Sequence, residues 1–600
     1  MRRRMNAQRH PGISVARLLA VGMMAGLLTL LEPTRAVAQA GAAAGQLPPE
    51  VIAYADTILT NGKVLTVDKD FSVREALAIR DGKVLAVDTT AAIQRYAGPR
   101  TQRIDLAGKT VIPGIIDTHL HLHEGAPGRF KADFEANEPL YREYMNTARA
   151  AGNTIPEVLA SLKTIVATRR PGSWVHAEII NEKVREPFSQ QVHIPDLNAV
   201  APNNPLVVST IGWLNLANQN AIEEMRKYYG YVGEDLEKKG VADVAAMRGI
   251  TGDIIIQNPM QSLYSPFVKE MKRYATYGVT TWSSSMTPVS YLPVFHAIDD
   301  NKEMPIRFAF SQTVGVTSFP HAGGFYQRLG NITGWGTDYL WAAGAGVTVS
   351  DGPPEEACTT LDKAHEKPCF VEAPDAEKGK AMYALVKAGN RITGTHTSGD
   401  RSADQVMDII EKASAEAHMT PEQIRAKAHT IDHCRMYPRP DQIERGKRLG
   451  IIWNCAPDSI DSVAPMLAAK YGEEYAQRWV VPVGSIIRAG GKVAGHGEGV
   501  DGDSYFTNPE MLMTRTDSKG KVWGKDEAID RKDVLRMYTI WAAEYVAKPD
   551  RLGSLEPGKF ADLVVLDKDY MTVPAGQFSD IHALLTMVGG KTVFQAPTFK

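Results

Sequence analysis

The stretch from Pro113 to His121 constrains the fold of this chain most strongly. It reads Pro-Gly-Ile-Ile-Asp-Thr-His-Leu-His and follows the apolar residues Val111 and Ile112. An apolar run bounded by turn residues predicts a buried strand. Alternate side chains on a strand share a face, so His119 and His121 should point the same way from its end. Two imidazoles so placed can bind one divalent metal ion such as zinc, although a strand end with two incidental histidines would have the same pattern.

Two further histidines follow predicted strands much later in the chain. The run from Arg391 to His396 ends in one of them, and a helical pattern follows. The run from Ala428 to His433 ends in the other, and a helical pattern at 443–449 follows. Repetition of strand, histidine and helix predicts βα units with functional groups at the carboxyl ends of strands. Together the four histidines predict a metal site on the active-site face of a β/α barrel.

Motifs in a fixed order connect the chain to a known family. They are the runs 55–64 and 76–84, Gly278-Val279-Thr280-Thr281, Asp351-Gly352, Gly399-Asp400-Arg401, the run 445–450 and the run 552–564. With these motifs the chain resembles, nearly end to end, the metal-dependent amidohydrolases, and most of all the branch that contains N-substituted formamide deformylases. The resemblance implies an α/β fold, namely a (β/α)8 TIM-type barrel with a small β-sandwich formed from both chain ends. It also implies hydrolysis of an amide, a cyclic amide or a formamide-like C–N bond in a small molecule.

The resemblance and the strand patterns together suggest a domain organisation. Short alternating strands separated by Asn-Gly, Asp-Gly and Gly-Gly pairs predict hairpins near both chain ends. The expected domains are a composite β-sandwich of 52–113 and 547–594, and a hydrolase barrel of 114–546 with long loop insertions. Strands of barrel units in the middle of the chain are expected at 173–180, 206–210, 280–283, 306–310 and 346–350.

The resemblance implies roles for particular residues. Four histidines are expected to hold a divalent metal, most naturally zinc: His119, His121, His396 and His433. Many family members have a lysine on the fourth barrel strand that bridges two metals. The strand before Asp351 has no lysine, which favours one ion over two, or else a differently built second site. With one ion, His396 or His433 would instead contact the substrate carbonyl. No binding residues for an organic cofactor are predicted.

The stretch 492–501 departs from the motif in which the family carries its catalytic aspartate. Glu498 falls where the family has an aspartate, and it is expected to take the proton of the attacking water and return it to the leaving nitrogen. Asp501 and Asp503 are rival carboxylates, and His496 is a further candidate ligand or acid. A glycine-rich loop with solvated acids is the alternative interpretation. Trp213 stands where the family often has a histidine, which predicts an altered pocket.

Two other functions remain open at this point. The same activated water would serve a hydrolase of an ester, lactone or carbamate. A non-enzymatic ligand-binding protein on a decayed amidohydrolase scaffold would explain the missing lysine and the altered aspartate motif. Retention of all four histidines argues against that second alternative, because a binding scaffold needs no metal ligands.

The first forty residues predict export. Arginines precede a mostly apolar run at 18–31, and small-x-small cleavage signatures end at Ala38 and Ala40, which is the pattern of a signal peptide at 1–40. Residues 41–51 are a linker. The run is short for a membrane-spanning helix, although an uncleaved anchor is an alternative. We therefore expect a periplasmic or secreted protein without stable membrane insertion after cleavage.

Charge adds a constraint on partners. The chain carries a formal net charge of −2, and loss of the first forty residues, with six arginines and one glutamate, would take it to about −7. This gives no reason to expect nucleic acid as a partner. The oligomeric state is left open.

Four cysteines remain after the predicted cleavage. An oxidising compartment permits disulfides, and the two candidate pairs are Cys358 with Cys369 and Cys434 with Cys455. Four cysteines allow three connectivities, so the spacing alone does not decide between them. A metal-binding role for Cys434 is disfavoured, because its neighbour His433 should face the other side of the strand.

Overall fold

The computed structural model describes residues 54–599, apart from 211–213, 243, 314–327, 348–349, 352–356, 362–376, 500–501 and 503. The predicted signal peptide and most of the linker, together with Trp213, Cys369, Asp501 and Asp503, lie outside the described residues. No helix in the described part of the chain has both the length and the apolar character needed to cross a membrane.

Strands and helices alternate through most of the chain, which confirms the predicted α/β class. The strands are β1 Ala55–Thr60, β2 Lys63–Leu65, β3 Val73–Arg74, β4 Ala76–Arg80, β5 Lys83–Asp88, β6 Ala97–Asp105, β7 Thr110–Pro113, β8 Ile115–Asp117, β9 Ala148–Ala150, β10 Val175–Ile179, β11 Leu206–Ser209, β12 Asn215–Ala217, β13 Val241–Ala242, β14 Val279–Met286, β15 Arg307–Thr313, β16 Leu340–Gly346, β17 Thr430–His433, β18 Ile452–Cys455, β19 Lys492–Gly495, β20 Leu563–Leu566, β21 Ala583–Val588 and β22 Lys591–Gln595.

The described helices pack around and between these strands. They span Thr90–Ile93, Leu122–Arg129, Lys131–Glu135, Pro139–Met145, Ile155–Ala167, Glu182–Gln191, Ile194–Val200, Gln219–Tyr229, Glu234–Lys239, Val244–Gly249, Pro259–Ala275, Leu292–Asp300, Glu377–Lys387, Asp400–Glu416, Pro421–Lys427, Pro440–Leu449, Ser459–Ser462, Ala464–Tyr471, Glu473–Trp479, Val483–Arg488, Thr507–Thr514, Arg531–Met537 and Ile540–Tyr545.

The two ends of the described chain share a sheet. Its strand order is β22-β21-β20-β7-β2-β3, and β20 pairs antiparallel with β7, placing Val564 opposite Ile112. A second sheet has the order β5-β4-β1-β6. One cluster of buried apolar side chains takes members from both sheets, among them Leu59 and Ile79 from one and Val111 and Leu563 from the other. Residues from opposite ends of the sequence therefore build a common core.

Two parallel ladders position the site, and their strands are drawn from β8 and from β14 to β19. Strands β8, β14, β15 and β16 form one parallel ladder, and β17, β18 and β19 form another. Parallel bridges from Ala345 to Ile392 and from His396 to Asp432 place the segment 391–396 between the two ladders. All eight residues of β14 are buried, as expected for a parallel strand with both faces covered.

The two outer strands of this series meet without a β-ladder among the described residues. Instead, the Thr118 hydroxyl donates to the carbonyl of Gly495 at 2.9 Å, and the Glu498 N–H donates to the carbonyl of His119 at 3.2 Å. The carboxyl ends of β8 and β19 are therefore neighbours in space.

Two predicted barrel strands belong elsewhere. The strands expected at 173–180 and 206–210 exist as β10 and β11, but they lie in a separate five-stranded sheet of order β13-β12-β11-β10-β9. That sheet has its own apolar cluster, which includes Val175 and Leu206. It occupies the long sequence between β8 and β14 and is an insertion rather than part of the parallel series. The strand expected at 346–350 is also displaced, because β16 ends at Gly346.

Candidate metal centre

The four predicted histidines come together at the carboxyl ends of the parallel strands. His119 and His121 follow β8, which ends at Asp117. The alternation of side chains along one strand therefore does not apply to them. His121 is instead the N-cap residue of the helix Leu122–Arg129. His396 ends the bridged segment beside β17, and His433 is the last residue of β17.

Three ring nitrogens form a close cluster. The Nε2 atom of His119 lies 3.2 Å from that of His121 and 3.1 Å from that of His396, and the latter two are 3.4 Å apart. Two imidazole ligands on a tetrahedral zinc ion, each about 2.0–2.1 Å from it, are separated by about 3.3 Å. The spacing of these nitrogens therefore fits a shared divalent ion.

Burial favours the neutral imidazoles that metals bind. Burial, with the nearby His119 and His433, holds the pKa of His396 well below its ordinary value. Burial and the neighbouring Arg435 lower the pKa of His433 to about 4. For His119 burial acts in the same direction, but the hydrogen bond and charge of Asp432, with other carboxylates, outweigh it and raise the pKa. Metal ligation requires the deprotonated nitrogen, so two of these rings are already in the ligating form.

Carboxylates orient two of the clustered rings. His119 Nδ1 lies 2.9 Å from Asp432 Oδ2, which also accepts a hydrogen bond of 2.8 Å from the Tyr545 hydroxyl. His121 Nδ1 lies 3.0 Å from Glu124 Oε1, and Glu124 pairs with Arg248 at 2.8 Å. Each carboxylate fixes a ring so that its Nε2 faces the cluster, an arrangement common around bound metals.

Sequence reasoning did not assign roles to Asp432 and Glu124. Glu124 carries a usable signal, because a residue three positions after His121 in the first turn of a helix can reach back to it. Asp432 lies 313 residues from His119 in sequence, and its partner becomes apparent only when β8 and β17 are brought to the same edge.

Glu498, the carboxylate predicted to be catalytic, lies against the histidine cluster. Its Oε1 lies 2.8 Å from His433 Nε2, and its Oε2 lies 3.6 Å from His121 Nε2. Burial opposes ionisation of Glu498, but His433 and the other rings outweigh it and hold its pKa well below the ordinary value. The side chain is therefore an ionised proton acceptor next to the candidate ligands.

A buried aspartate holds the loop that carries Glu498. Asp117 accepts hydrogen bonds from the N–H groups of Gly497 at 3.0 Å and His119 at 3.1 Å. A Cβ atom at position 497 would lie 2.4 Å from Asp117 Oδ2, so glycine is required for this close approach. Glu498 itself has a φ of 53°, a conformation that few non-glycine residues adopt.

His496 also belongs to the cluster. Its ring is fully buried, lies 5.1 Å from the rings of His119 and His433, and has no hydrogen-bond partner on either nitrogen among the described residues. Burial holds its pKa well below the ordinary value. The structure therefore brings this further predicted candidate to the same place as Glu498, whereas Asp501 and Asp503 lie outside the described residues.

Two other sequence predictions bear on the centre. Neither the observed strand β16, Leu340–Gly346, nor the stretch at 346–350 that was predicted to be this strand contains a lysine. A disulfide joins Cys434 to Cys455, one of the two candidate pairs, and excludes Cys434 as a thiolate ligand. Cys358 is also disulfide-bonded, and its proposed partner Cys369 is outside the described residues.

Parallel strands alternating with helices, with buried imidazoles and a carboxylate at their carboxyl ends, define a class of metal-dependent hydrolases. A profile of the amidohydrolase family matches residues 102–594. The chain therefore belongs to the amidohydrolase family and is a metal-dependent enzyme that acts on carbon–nitrogen bonds.

Full-length relatives agree with this assignment. The chain is 24% identical to the N-substituted formamide deformylase of Arthrobacter pascens, with 89% of this chain and 97% of the relative covered. It is also 24% identical to the protein LONG AFTER FAR-RED 3 of Arabidopsis thaliana, with 91% and 93% covered. An uncharacterised metal-dependent hydrolase of Pyrococcus horikoshii has the same fold, with a TM-score of 0.57, 19% identity and coverage of 87% and 99%.

Proposed function

We propose that this enzyme hydrolyses an amide, a cyclic amide or a formamide-like C–N bond of a small molecule outside the cytoplasm. The observation that carries the proposal is the cluster of three imidazole nitrogens 3.1–3.4 Å apart, with the Glu498 carboxylate beside it. The deformylase relative supports the bond type, and the predicted signal peptide at 1–40 supports the compartment.

His119, His121 and His396 are the residues that would hold a divalent ion, with zinc as the natural candidate for three imidazoles. His433 and Glu498 form a second group with His119 in which one donor atom of each residue lies within 4.8 Å of the others. The absence of a lysine on β16 favours one ion over two. When bound, such an ion acidifies water and polarises a carbonyl.

A side chain of the protein would accept the proton of the attacking water and return it to the leaving nitrogen. Glu498 is ionised and so can accept a proton from the attacking water. It would then donate that proton to the leaving nitrogen. Its contact with His433 favours the ionised form before each turnover.

The fold proposed for this chemistry is a closed (β/α)8 barrel with a composite sandwich. Eight parallel segments support it, namely β8, β14, β15, β16, 391–396, β17, β18 and β19. The contacts between the ends of β8 and β19 support closure, and the core shared by the two remaining sheets supports a sandwich of 52–113 and 547–594. A crystal structure in which β8 and β19 lie apart, at two open edges of the series, would contradict closure.

Elemental analysis and a substrate screen test the proposal. The purified mature protein should contain about one divalent ion per chain and should turn over at least one member of a panel of formamides, amides and cyclic amides. His119→Ala or His121→Ala should lose metal and activity together, because each removes a proposed ligand. His582→Ala, at a half-exposed histidine of the terminal sheet region, is the control. Full metal content and turnover in both ligand variants, or turnover of esters and lactones alone, would contradict the proposal.

A further inference from the structure

Arg435 lies in the loop after β17 with its charge incompletely paired. Its side chain is 12% exposed, and its Nη2 atom is 3.5 Å from Glu498 Oε1. The other two guanidinium nitrogens, Nε and Nη1, are buried and have no hydrogen-bond partner among the described residues. Within the part of the chain that the structure describes, Arg435 makes one ion pair, which is its contact with Glu498.

Other buried arginines of this protein show what full pairing looks like. Every guanidinium nitrogen of Arg307, Arg391 and Arg515 donates a hydrogen bond, either to a carboxylate or to backbone carbonyls. A buried cation with unused donors is costly. An anionic group placed beside Arg435 would use those donors, and a carboxylate can accept two parallel N–H bonds from a guanidinium.

The position of Arg435 determines which end of a substrate it would meet. One oxygen of Glu498 faces His433 and Arg435, and the other faces His121. In the proposed reaction Glu498 returns a proton to the leaving nitrogen. A leaving nitrogen that receives its proton from Oε1 would have its attached group beside the unpaired guanidinium donors of Arg435.

We propose that Arg435 binds a carboxylate that the substrate carries on its leaving-nitrogen side, so that the preferred substrates are N-acyl or N-formyl derivatives of amino acids. This inference rests on the proposed function, because it uses the role given to Glu498. It makes Arg435 a residue that determines specificity, distinct from the groups that hold metal.

A competing role for Arg435 is to position Glu498. Two further carboxyl groups, Asp351 and Asp458, lie within electrostatic range of the guanidinium without forming an ion pair with it among the described contacts. Asp351 already accepts backbone hydrogen bonds from residues 358, 398 and 399. A purely positioning Arg435 would affect neutral and anionic substrates alike, and this difference makes the two roles separable.

The test compares N-formylphenylalanine with its uncharged counterpart, N-formylphenylalaninamide, in both enantiomers. The metal-replete wild type should prefer the carboxylate in kcat/KM. Arg435→Gln should lose roughly 30- to 1000-fold on the carboxylate, the usual result of removing one partner of a buried charge pair, and less than about threefold on the amide. Arg435→Lys should recover part of the loss, because it keeps the charge but not the two-pronged geometry.

Arg445→Gln is the matched control, since Arg445 lies on the helix Pro440–Leu449 and pairs with Asp408 and Glu411 away from the centre. Equal losses on both substrates in Arg435→Gln, or a wild type that prefers the amide, would overturn the inference while leaving the proposed function intact. If no C–N substrate is turned over, the proposed function fails. Calorimetry with N-formylphenylalanine then decides the inference: binding weakened by Arg435→Gln supports it, and binding equal in both proteins overturns it. Metal content and thermal unfolding of each variant identify those that misfold.

Discussion

Two imidazole rings of the candidate metal centre are oriented by carboxylates that contact their Nδ1 atoms, on the side of the ring away from the metal. Asp432 receives both the His119 ring and the Tyr545 hydroxyl on one oxygen, and the Thr430 hydroxyl donates to its other oxygen at 3.1 Å. A carboxylate with this many donors stays fixed. His119 therefore meets a metal in one orientation and one tautomer, with Nδ1 directed at Asp432.

Replacement of the Asp432 carboxylate by an amide tests this orientation. Asp432→Asn keeps the shape of the side chain but removes its charge, so metal affinity should fall about 10- to 100-fold. Competition with a chelator measures the affinity, and Asp441→Asn, at an exposed aspartate, is the control. An unchanged affinity would show that the pair with His119 has no part in metal binding.

Glu498→Gln tests the acid/base assignment at the same scale. The variant keeps the size of the side chain but removes the proton acceptor, so kcat should fall about 10²–10⁴-fold while metal content barely changes. Asp501→Asn and Asp503→Asn should be much milder. Loss of metal together with activity in Glu498→Gln would make Glu498 a ligand, and an inactive Asp501→Asn beside an active Glu498→Gln would place the catalytic carboxylate further along the loop.

At the scale of elements, the sequence predicted where strands form better than it predicted which sheet each strand joins. The apolar runs before His396 and His433 indicated strands that the structure contains as the bridged segment and β17. The runs at 173–180 and 206–210 have the same pattern, yet they form a separate sheet. A strand pattern reports burial, whereas sheet membership depends on pairing between residues far apart in sequence.

The disulfide that links the end of β17 to β18 contributes to the free energy of unfolding. Cys434 and Cys455 are 21 residues apart, and closing a loop of that length removes unfolded-state entropy worth about 3 kcal/mol. Cys434→Ala/Cys455→Ala should lower the free energy of unfolding by about that amount, because the unfolded chain regains the entropy that the cross-link removed. Denaturant titration monitored by fluorescence measures the stability. Coincident unfolding curves for wild type and variant would contradict the expectation.

At the scale of the whole molecule, the family and the α/β class could be recognised from the sequence because the motifs keep their order along the chain. The insertion between β8 and β14 could not be placed, since its strands carry no signal of their partners. The predicted export concerns residues outside the described part of the chain, and it stays a prediction.

N-terminal sequencing of the exported protein tests that prediction. The mature chain should begin near Gln39 or Gly41, because each follows a small-x-small cleavage signature. The chain recovered from the cytoplasm serves as the control and should begin at Met1. An exported protein that retains Met1 would contradict cleavage.

The sheet that joins β7 to β20 constrains how the molecule is made. Val111 and Ile112 lie beside Val565 and Val564, so the edge of β7 that pairs with β20 stays open until nearly the whole chain has left the ribosome. Pairing across such a sequence distance is slow, because a long loop must close before any contact forms. A nascent chain with this topology remains incompletely folded throughout synthesis, a state that would suit the predicted export and would need chaperones.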